Sequence, residues 1–445
     1  MASDARSNWG SKIGFILSAT GSAVGIGAIW KFPYMSGANG GAAFILPFVL
    51  MVFCFGVLLI LAEMVIGRHG RGSVVTSFRR IAGPAWVPLG FIAVFNSFLI
   101  MCYYSTVGGW CITYLVESII GSAVSADLQS LETTFMATIS SPTSSIIYQS
   151  LFLIITASVL LFEINRGIEK VSKILMPCLF ILMCVLIVRG LSLPNAWKGV
   201  EFLFLPHWEL FTAQSLLNAL GFTFFSLSVG MGIMITYGSY VKHTEDLTGS
   251  AMWVAFLAFS SCILAGLMVI PPVLAFGLNP SAGPGLTFIT MPAVFSHMPL
   301  GEVCAVAFYI CLFVAALTSM ISLFEVVLTY LIDEWKLPRK PAAIGLLLAL
   351  LVCSVPSSLA MGPWGDIKFF GKNILDLIDF SACNILMPLG ALFVIAIAGW
   401  FFWEKTVYEL CVTRKHSALW LKTLRFMLSV VAPCLIIIIS VSNLI

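Results

Sequence analysis

Charge-free apolar stretches recur along the whole chain and set its organisation. A membrane-crossing helix needs about 20 mostly apolar residues. Eleven such segments can be marked, near 11–36, 41–66, 86–118, 147–163, 168–189, 214–240, 247–276, 301–332, 342–361, 376–403 and 422–443. The fifth has the shortest uncharged core, 174–188. Residues 247–301 carry no charge but contain Pro271, Pro272, Pro280 and Pro284. That pattern predicts a span, a Pro/Gly-rich connection with a short helix near 287–297, and the next span.

Two spans carry interruptions at mid-membrane. The first reads GSAVGIGAIWKFP over 21–33, the sixth FFSLSVGMGIMITYGSY over 224–240. Irregular backbone at that depth is tolerated only where it is buried in protein or faces a cavity. Gly21 and Gly25 also form a GxxxG pair, which allows close helix packing. Two interruptions five spans apart match an inverted repeat of five plus five, with the first helix of each half broken at a binding site. The expected layout is a single transporter domain over 1–445, with a first repeat at 11–190, a second at 214–403 and an extra eleventh span at 422–443.

Composition agrees with the spans. The chain is 60% hydrophobic and 10% charged, against roughly 25% charged in soluble domains, and its mean hydropathy is +1.04. A soluble enzyme, a nucleic-acid binder and a disordered regulator are excluded. A net charge of +3 without a basic run suggests no polyanion partner. With the N-terminus inside, eighteen of the 23 Lys and Arg residues fall in inner loops and four (Arg189, Lys198, Lys368, Lys372) in outer ones. Positive charge stays preferentially on the cytoplasmic side, so the N-terminus is expected inside and the C-terminus outside. No cleavable signal peptide is expected, and a prokaryotic inner membrane is the simpler address. The 12 cysteines lack a CxxC pair and the 5 histidines lie far apart, which reads as packing rather than metal chemistry. No span shows the repeated polar face of a channel, and no clustered catalytic set suggests a membrane enzyme. A non-transporting receptor is a further reading that binding without uptake would support.

Several motifs together resemble the neurotransmitter:sodium symporter family in its bacterial, LeuT-like branch. They are Arg6 and Trp9, the GSAVGIG break, KFP, NGGAAF at Asn39, Glu63 followed by GRHG, Tyr103 and Tyr104, the sixth-span break, TYGSY, GLNPSAGPGLTF, ALTS at Ala316 and YLIDEWKLPRK. The resemblance implies an all-α polytopic membrane protein with the LeuT fold, spans 1 and 6 unwound, acting as a sodium-coupled symporter. It covers residues from about Trp9 to about Trp403; span 11 is generic, and the twelfth span of many members is missing.

By this resemblance, substrate is held by Ala23, Gly25, Ile26, Gly27, Ile100, Tyr104, Phe225, Ser226, Ser228, Met231, Ser319 and Leu323. One sodium site would use carbonyls of Gly21, Val24 and Ala315 with the hydroxyls of Thr318 and Ser319, although a Thr-Ser pair in a span also serves helix packing. The family's other sodium site departs from the pattern, with Ala28, Ser226 and Ala258 at its side-chain positions and Phe48, Phe222 and Cys262 around the adjoining anion site. One sodium ion is therefore expected, with a proton as a second candidate, and the first sodium and chloride sites are expected lost. Gly25, where amine carriers have Asp, leaves room for a substrate carboxylate; Met231 between two glycines favours a bulky apolar or aromatic side chain. Gates are expected between Lys31 and Asp379 outside and Arg6 and Asp333 inside, with Glu63 as a structural brace. Glu325 reads as a satisfied structural carboxylate or a protonatable group. The expected function is uptake of an amino acid or close carboxylate relative; the alternative is proton-linked carriage of an aromatic 2-oxo acid. The expected partners are a small-molecule substrate and the lipid bilayer, without nucleic acid or an obligate protein.

Overall fold

A computed structural model describes residues 7–281, 283 and 285–444. Among them the chain is helical, and strand pairing is confined to the isolated bridges Gly41–Pro206 and Phe369–Lys372. The helices are α1 (Lys12–Ala23), α2 (Gly27–Ala38), α3 (Ala42–Gly70), α4 (Val74–Ala82), α5 (Pro84–Ile120), α6 (Leu128–Ser140), α7 (Pro142–Leu160), α8 (Ile168–Leu191) and α9 (Trp197–Phe204). They continue as α10 (Ala213–Ser226), α11 (Ile233–Gly238), α12 (Leu247–Ala275), α13 (Leu286–Ser296), α14 (Gly301–Trp335), α15 (Arg339–Leu359), α16 (Ile374–Phe401), α17 (Trp403–Cys411) and α18 (Ala418–Ser442). Among the described residues nine helices are long and apolar enough to cross a membrane alone, and α1 and α2 form a tenth span bent by 52°. The sixth expected segment is α10 and α11, parted by residues 227–232, so all eleven apolar segments are helical and two are broken.

Local chemistry explains where the helices start. Ser11 Oγ accepts from Gly14 N at 3.0 Å to cap α1, and Thr212 forms a reciprocal capping box with Ser215 on α10. It also explains the breaks. The chain leaves α1 at Val24, with φ −87° and ψ 63°. After α10, Ser228, Gly230 and Gly232 take φ of +53°, +83° and +77°. At Gly230 a Cβ would stand 2.2 Å from Met387 O, and at Gly232 2.6 Å from Val74 Cγ2, so the second break admits only glycine at both positions.

The breaks sit where the long helices converge. α14 packs along α5, and α1 packs against α8, α12 and α14. α14 is buried continuously from Val314 to Thr329, with Ala315, Ala316, Thr318 and Leu323 inside that stretch. It forms one wall of the space between the two broken spans.

Candidate substrate and ion site

The unwound backbone is held from the side by a carboxylate. Glu63 is fully buried in α3; its Oε1 accepts from Gly230 N at 2.6 Å and its Oε2 from Met234 N at 3.2 Å. The carboxylate thus pairs with an amide of the second break and with one at the start of α11. Ser228 Oγ donates to Ser22 O at 3.0 Å, and Ser97 Oγ to Met231 O at 2.7 Å, so the second break is tied to the first and to α5.

Between the breaks lies a cavity of about 30 Å³, bordered by Gly25, Gly27, Ile100, Tyr104, Phe225 and Ser226, together with Ala23, Ser228, Met231, Ser319 and Leu323. Ile26 contributes its backbone instead, donating its N–H to Tyr104 Oη at 3.2 Å. Ser22 and Ile233 also border the space and were not among the expected residues. At this size the cavity has room for about one or two waters, so anything larger enters only after a wall moves. Phe225 is the wall shared with a second cavity of about 280 Å³, lined further by Lys31, Met35, Asn384, Ile436 and Ile439.

Gly21, Thr318 and Ser319, three of the five expected sodium ligands, meet at the end of α1. Ser319 Oγ donates to Gly21 O at 3.3 Å and to Ser22 O at 2.9 Å. Thr318 Oγ1 donates within its own helix to Val314 O at 3.0 Å and Ala315 O at 3.2 Å, and a Cβ on Gly21 would stand 3.2 Å from Thr318 Cβ. Val24 is the residue at which the first break begins. Hydroxyls and carbonyls so placed suit a hard monovalent cation with neutral oxygen ligands.

The region of the other expected site is apolar. Ala28 and Ala258 are buried, and Ser226 Oγ donates to Thr223 O at 3.2 Å in its own helix. Phe32, Phe44, Phe48 and Phe222 pack together, with Phe48–Phe222 centroids 5.2 Å apart and Phe32–Phe48 5.6 Å apart.

The gates differ from expectation on one side. Among the described residues no ion pair joins Lys31 to Asp379. Lys31 Nζ stands 5.1 Å from the Phe225 ring centroid, while Asp379 Oδ1 accepts from Cys383 Sγ at 3.4 Å and Tyr103 Oη lies 3.5 Å from that sulfur. Lys31 and Cys383 both line the 280 Å³ cavity. An aromatic face holds the ammonium without requiring it to leave water. At the other end Trp9 closes the molecule: its Nε1 donates to Tyr237 O at 3.0 Å and its N–H to Tyr240 O at 3.2 Å. Asp333 Oδ2 accepts from Ser73 N at 2.5 Å, and Arg6 lies outside the described residues.

Three charged groups acquire partners that spacing did not reveal. Glu325 is fully buried and receives Arg339 in a fork, Nη1 to Oε1 at 3.0 Å and Nη2 to Oε2 at 2.7 Å, with Tyr240 Oη donating to Oε1 at 2.9 Å. Both of its oxygens are thus paired, one arm of the fork on each. Glu169 Oε2 accepts from Gly10 N at 2.7 Å and Oε1 from Ser11 Oγ at 2.9 Å, pinning the start of α1 to α8. Glu409 in α17 meets Arg68 Nε at 2.8 Å and His69 Nδ1 at 3.1 Å.

Comparison with known proteins agrees with this arrangement. The model of the Sodium:neurotransmitter symporter family matches residues 6–136 and 128–445. The uncharacterized sodium-dependent transporter YhdH of Bacillus subtilis (strain 168) is 38% identical over 389 residues, 87% of this chain and 86% of its own length. An uncharacterized sodium-dependent transporter of Haemophilus influenzae is 34% identical over 456 residues, 99% and 98% of the two chains. The crystal structure of MhsT in complex with L-phenylalanine superposes with a TM-score of 0.90 at 38% identity, covering 98% of this chain and 100% of that one.

Proposed function

The chain belongs to the sodium:neurotransmitter symporter family and is a multi-pass, sodium-dependent membrane transporter of the LeuT fold; from that premise we propose that it carries a bulky apolar or aromatic amino acid, or a closely related carboxylate, with one sodium ion. The N-terminal, Trp9 end faces the cytoplasm of a prokaryotic cell in this reading, and the Lys31 end faces outside. The two broken spans each open one half of an inverted repeat.

The observation that carries the substrate class is the ceiling over Gly25. A Cβ there would meet Ser319 Oγ at 2.6 Å and Tyr104 Oη at 3.1 Å. The protein thus has no space for an acidic side chain to pair with a substrate amine. Tyr104 accepts the Ile26 amide and keeps its own proton to donate to a carboxylate. Ile100, Met231 and Leu323 supply apolar walls. The L-phenylalanine bound by MhsT supports an aromatic side chain.

Single-sodium coupling is supported by the oxygen cluster at Thr318 and Ser319 and by the alanines and packed phenylalanines on the other side. The test is uptake of labelled L-phenylalanine into proteoliposomes. An inward sodium gradient is expected to drive it with a near-hyperbolic dependence on sodium, and Thr318→Val to abolish it. A sigmoidal dependence would overturn the single site. Uptake of a 2-oxo acid driven by a pH gradient without sodium would favour proton-linked carriage.

A further inference from the structure

A buried amide in α5 is left without a partner. Asn96 is wholly inaccessible to solvent, and neither its Oδ1 nor its Nδ2 meets a hydrogen-bond partner among the described residues. Buried polar groups in folded proteins are paired with few exceptions, and each exception calls for an explanation such as an absent water or a functional role.

Its place in the helix gives the explanation. Residues four apart on a helix share a face, so Asn96 stands below Ile100 and Tyr104, which both border the central cavity. The step from Ile100 to Asn96 is about 6 Å along the axis. Side chains tilt toward the helix N-terminus, so the amide lies on the Trp86 side of the cavity, which is the cytoplasmic side in the function proposed above. The neighbouring Ser97 holds Met231 O at 2.7 Å. A Cβ on Gly232 would lie 2.6 Å from Val74 Cγ2, 3.5 Å from Ala93 Cβ and 3.7 Å from Val326 Cγ1. The backbone at Met231, which borders the cavity, and at Gly232 beside it therefore rests on the turn of α5 that carries Ala93, Asn96 and Ser97.

We infer that Asn96 is an exit station, a polar subsite that takes up the charged end of the amino acid, directly or through a water, as it leaves the cavity toward the cytoplasm. An amide both donates and accepts, so it serves a carboxylate or an ammonium group. In the closed arrangement it waits unpaired, and it is satisfied only when the floor at Met231 and Gly232 moves. The role is positional and concerns release; it adds nothing to equilibrium binding in the closed site. The inference rests on the amino-acid reading of the cavity.

The experiment compares wild type, Asn96→Leu and Asn96→Ser as full-length protein. Three quantities are read: thermal unfolding in detergent, sodium-supported equilibrium binding of L-phenylalanine, and turnover in L-phenylalanine exchange from proteoliposomes. Replacing an unpaired buried amide by an apolar isostere does not destabilise, so Asn96→Leu is expected to melt no lower than wild type. Its binding constant stays within about threefold while exchange turnover falls about tenfold, the effect of one hydrogen bond made only during release. Asn96→Ser, which keeps a hydroxyl and room for a water, recovers most of the turnover. Unchanged turnover in Asn96→Leu overturns the inference, as does a lower melting temperature, because a structural amide is what that variant would then have lost. If wild type itself binds no L-phenylalanine, the substrate reading fails, and the melting comparison still judges whether Asn96 is a structural amide.

Discussion

Glu63→Gln isolates the brace behind the second break. The carboxylate accepts from Gly230 N at 2.6 Å and Met234 N at 3.2 Å, one oxygen for each. Glutamine keeps the shape and one acceptor oxygen. Its amide group then faces an N–H it cannot accept from, so at least one donor is left unpaired in an enclosed site. Hydrogen bonds to a charged partner contribute about 1.5–3 kcal/mol each. Relief of burying a full charge offsets part of the loss, leaving about 2 kcal/mol against the folded break. Because Phe225, Ser226, Ser228 and Met231 border the cavity from this same segment, the penalty appears in ligand binding. At about 1.4 kcal/mol per tenfold, the dissociation constant rises about 30-fold. Sodium-supported L-phenylalanine binding at equilibrium, measured beside thermal unfolding, is the assay. Binding within threefold of wild type, with an unchanged melting temperature, would refute the claim that the carboxylate holds the break in shape.

Two further outcomes follow from the geometry. Phe225→Ala removes the wall between the 280 Å³ and 30 Å³ cavities, so bound L-phenylalanine should dissociate at least about tenfold faster into the outer medium, as read by isotope dilution. Glu409 lies outside the spanning helices; burial pushes its carboxyl upward, but the His69 and Arg68 bonds outweigh this and hold it below its ordinary 4.5. A depressed folded-state value means its contribution is present above about pH 4.5 and is lost as pH falls through that lower value. Glu409→Gln should cost about 3 kcal/mol, since it takes the counter-charge from the buried Arg68 while the backbone carbonyls of Glu245 and residue 409 still accept from its guanidinium. Thermal unfolding at pH 7 and at low pH checks both, and a melting curve that the substitution leaves unchanged would sink the assignment.

The spans and both breaks were legible because apolar runs of membrane length and clustered glycines leave strong local signals. The cavity residues were legible as well: eleven of the expected side chains border it and Ile26 adds its amide. Long-range charge pairing was less so. Glu325 and Arg339 are only fourteen residues apart, yet nothing in that spacing announces a fork. Glu169 reaches Gly10 across 159 positions. Lys31 and Asp379 matched in charge and depth, yet the sequence did not show that Lys31 stands over the Phe225 ring while Asp379 meets Cys383. Asn96 carried a signal that could have been used, as a carboxamide at i−4 and i−8 from Ile100 and Tyr104.

The Arg339–Glu325 fork also has a mechanical meaning. Arg339 Nε is bound to Leu160 O at 3.0 Å and Phe162 O at 2.8 Å, so the pair rivets the ends of α7, α14 and α15 into one corner. Tyr240 reaches that corner from just beyond α11 through its hydroxyl, to Glu325 at 2.9 Å and Thr329 at 3.0 Å. Its bond to the carboxylate contributes about 1.5–3 kcal/mol and its bond to the Thr329 hydroxyl about 1 kcal/mol, so the contact acts as a detent set against a post that the Arg339–Glu325 fork stiffens.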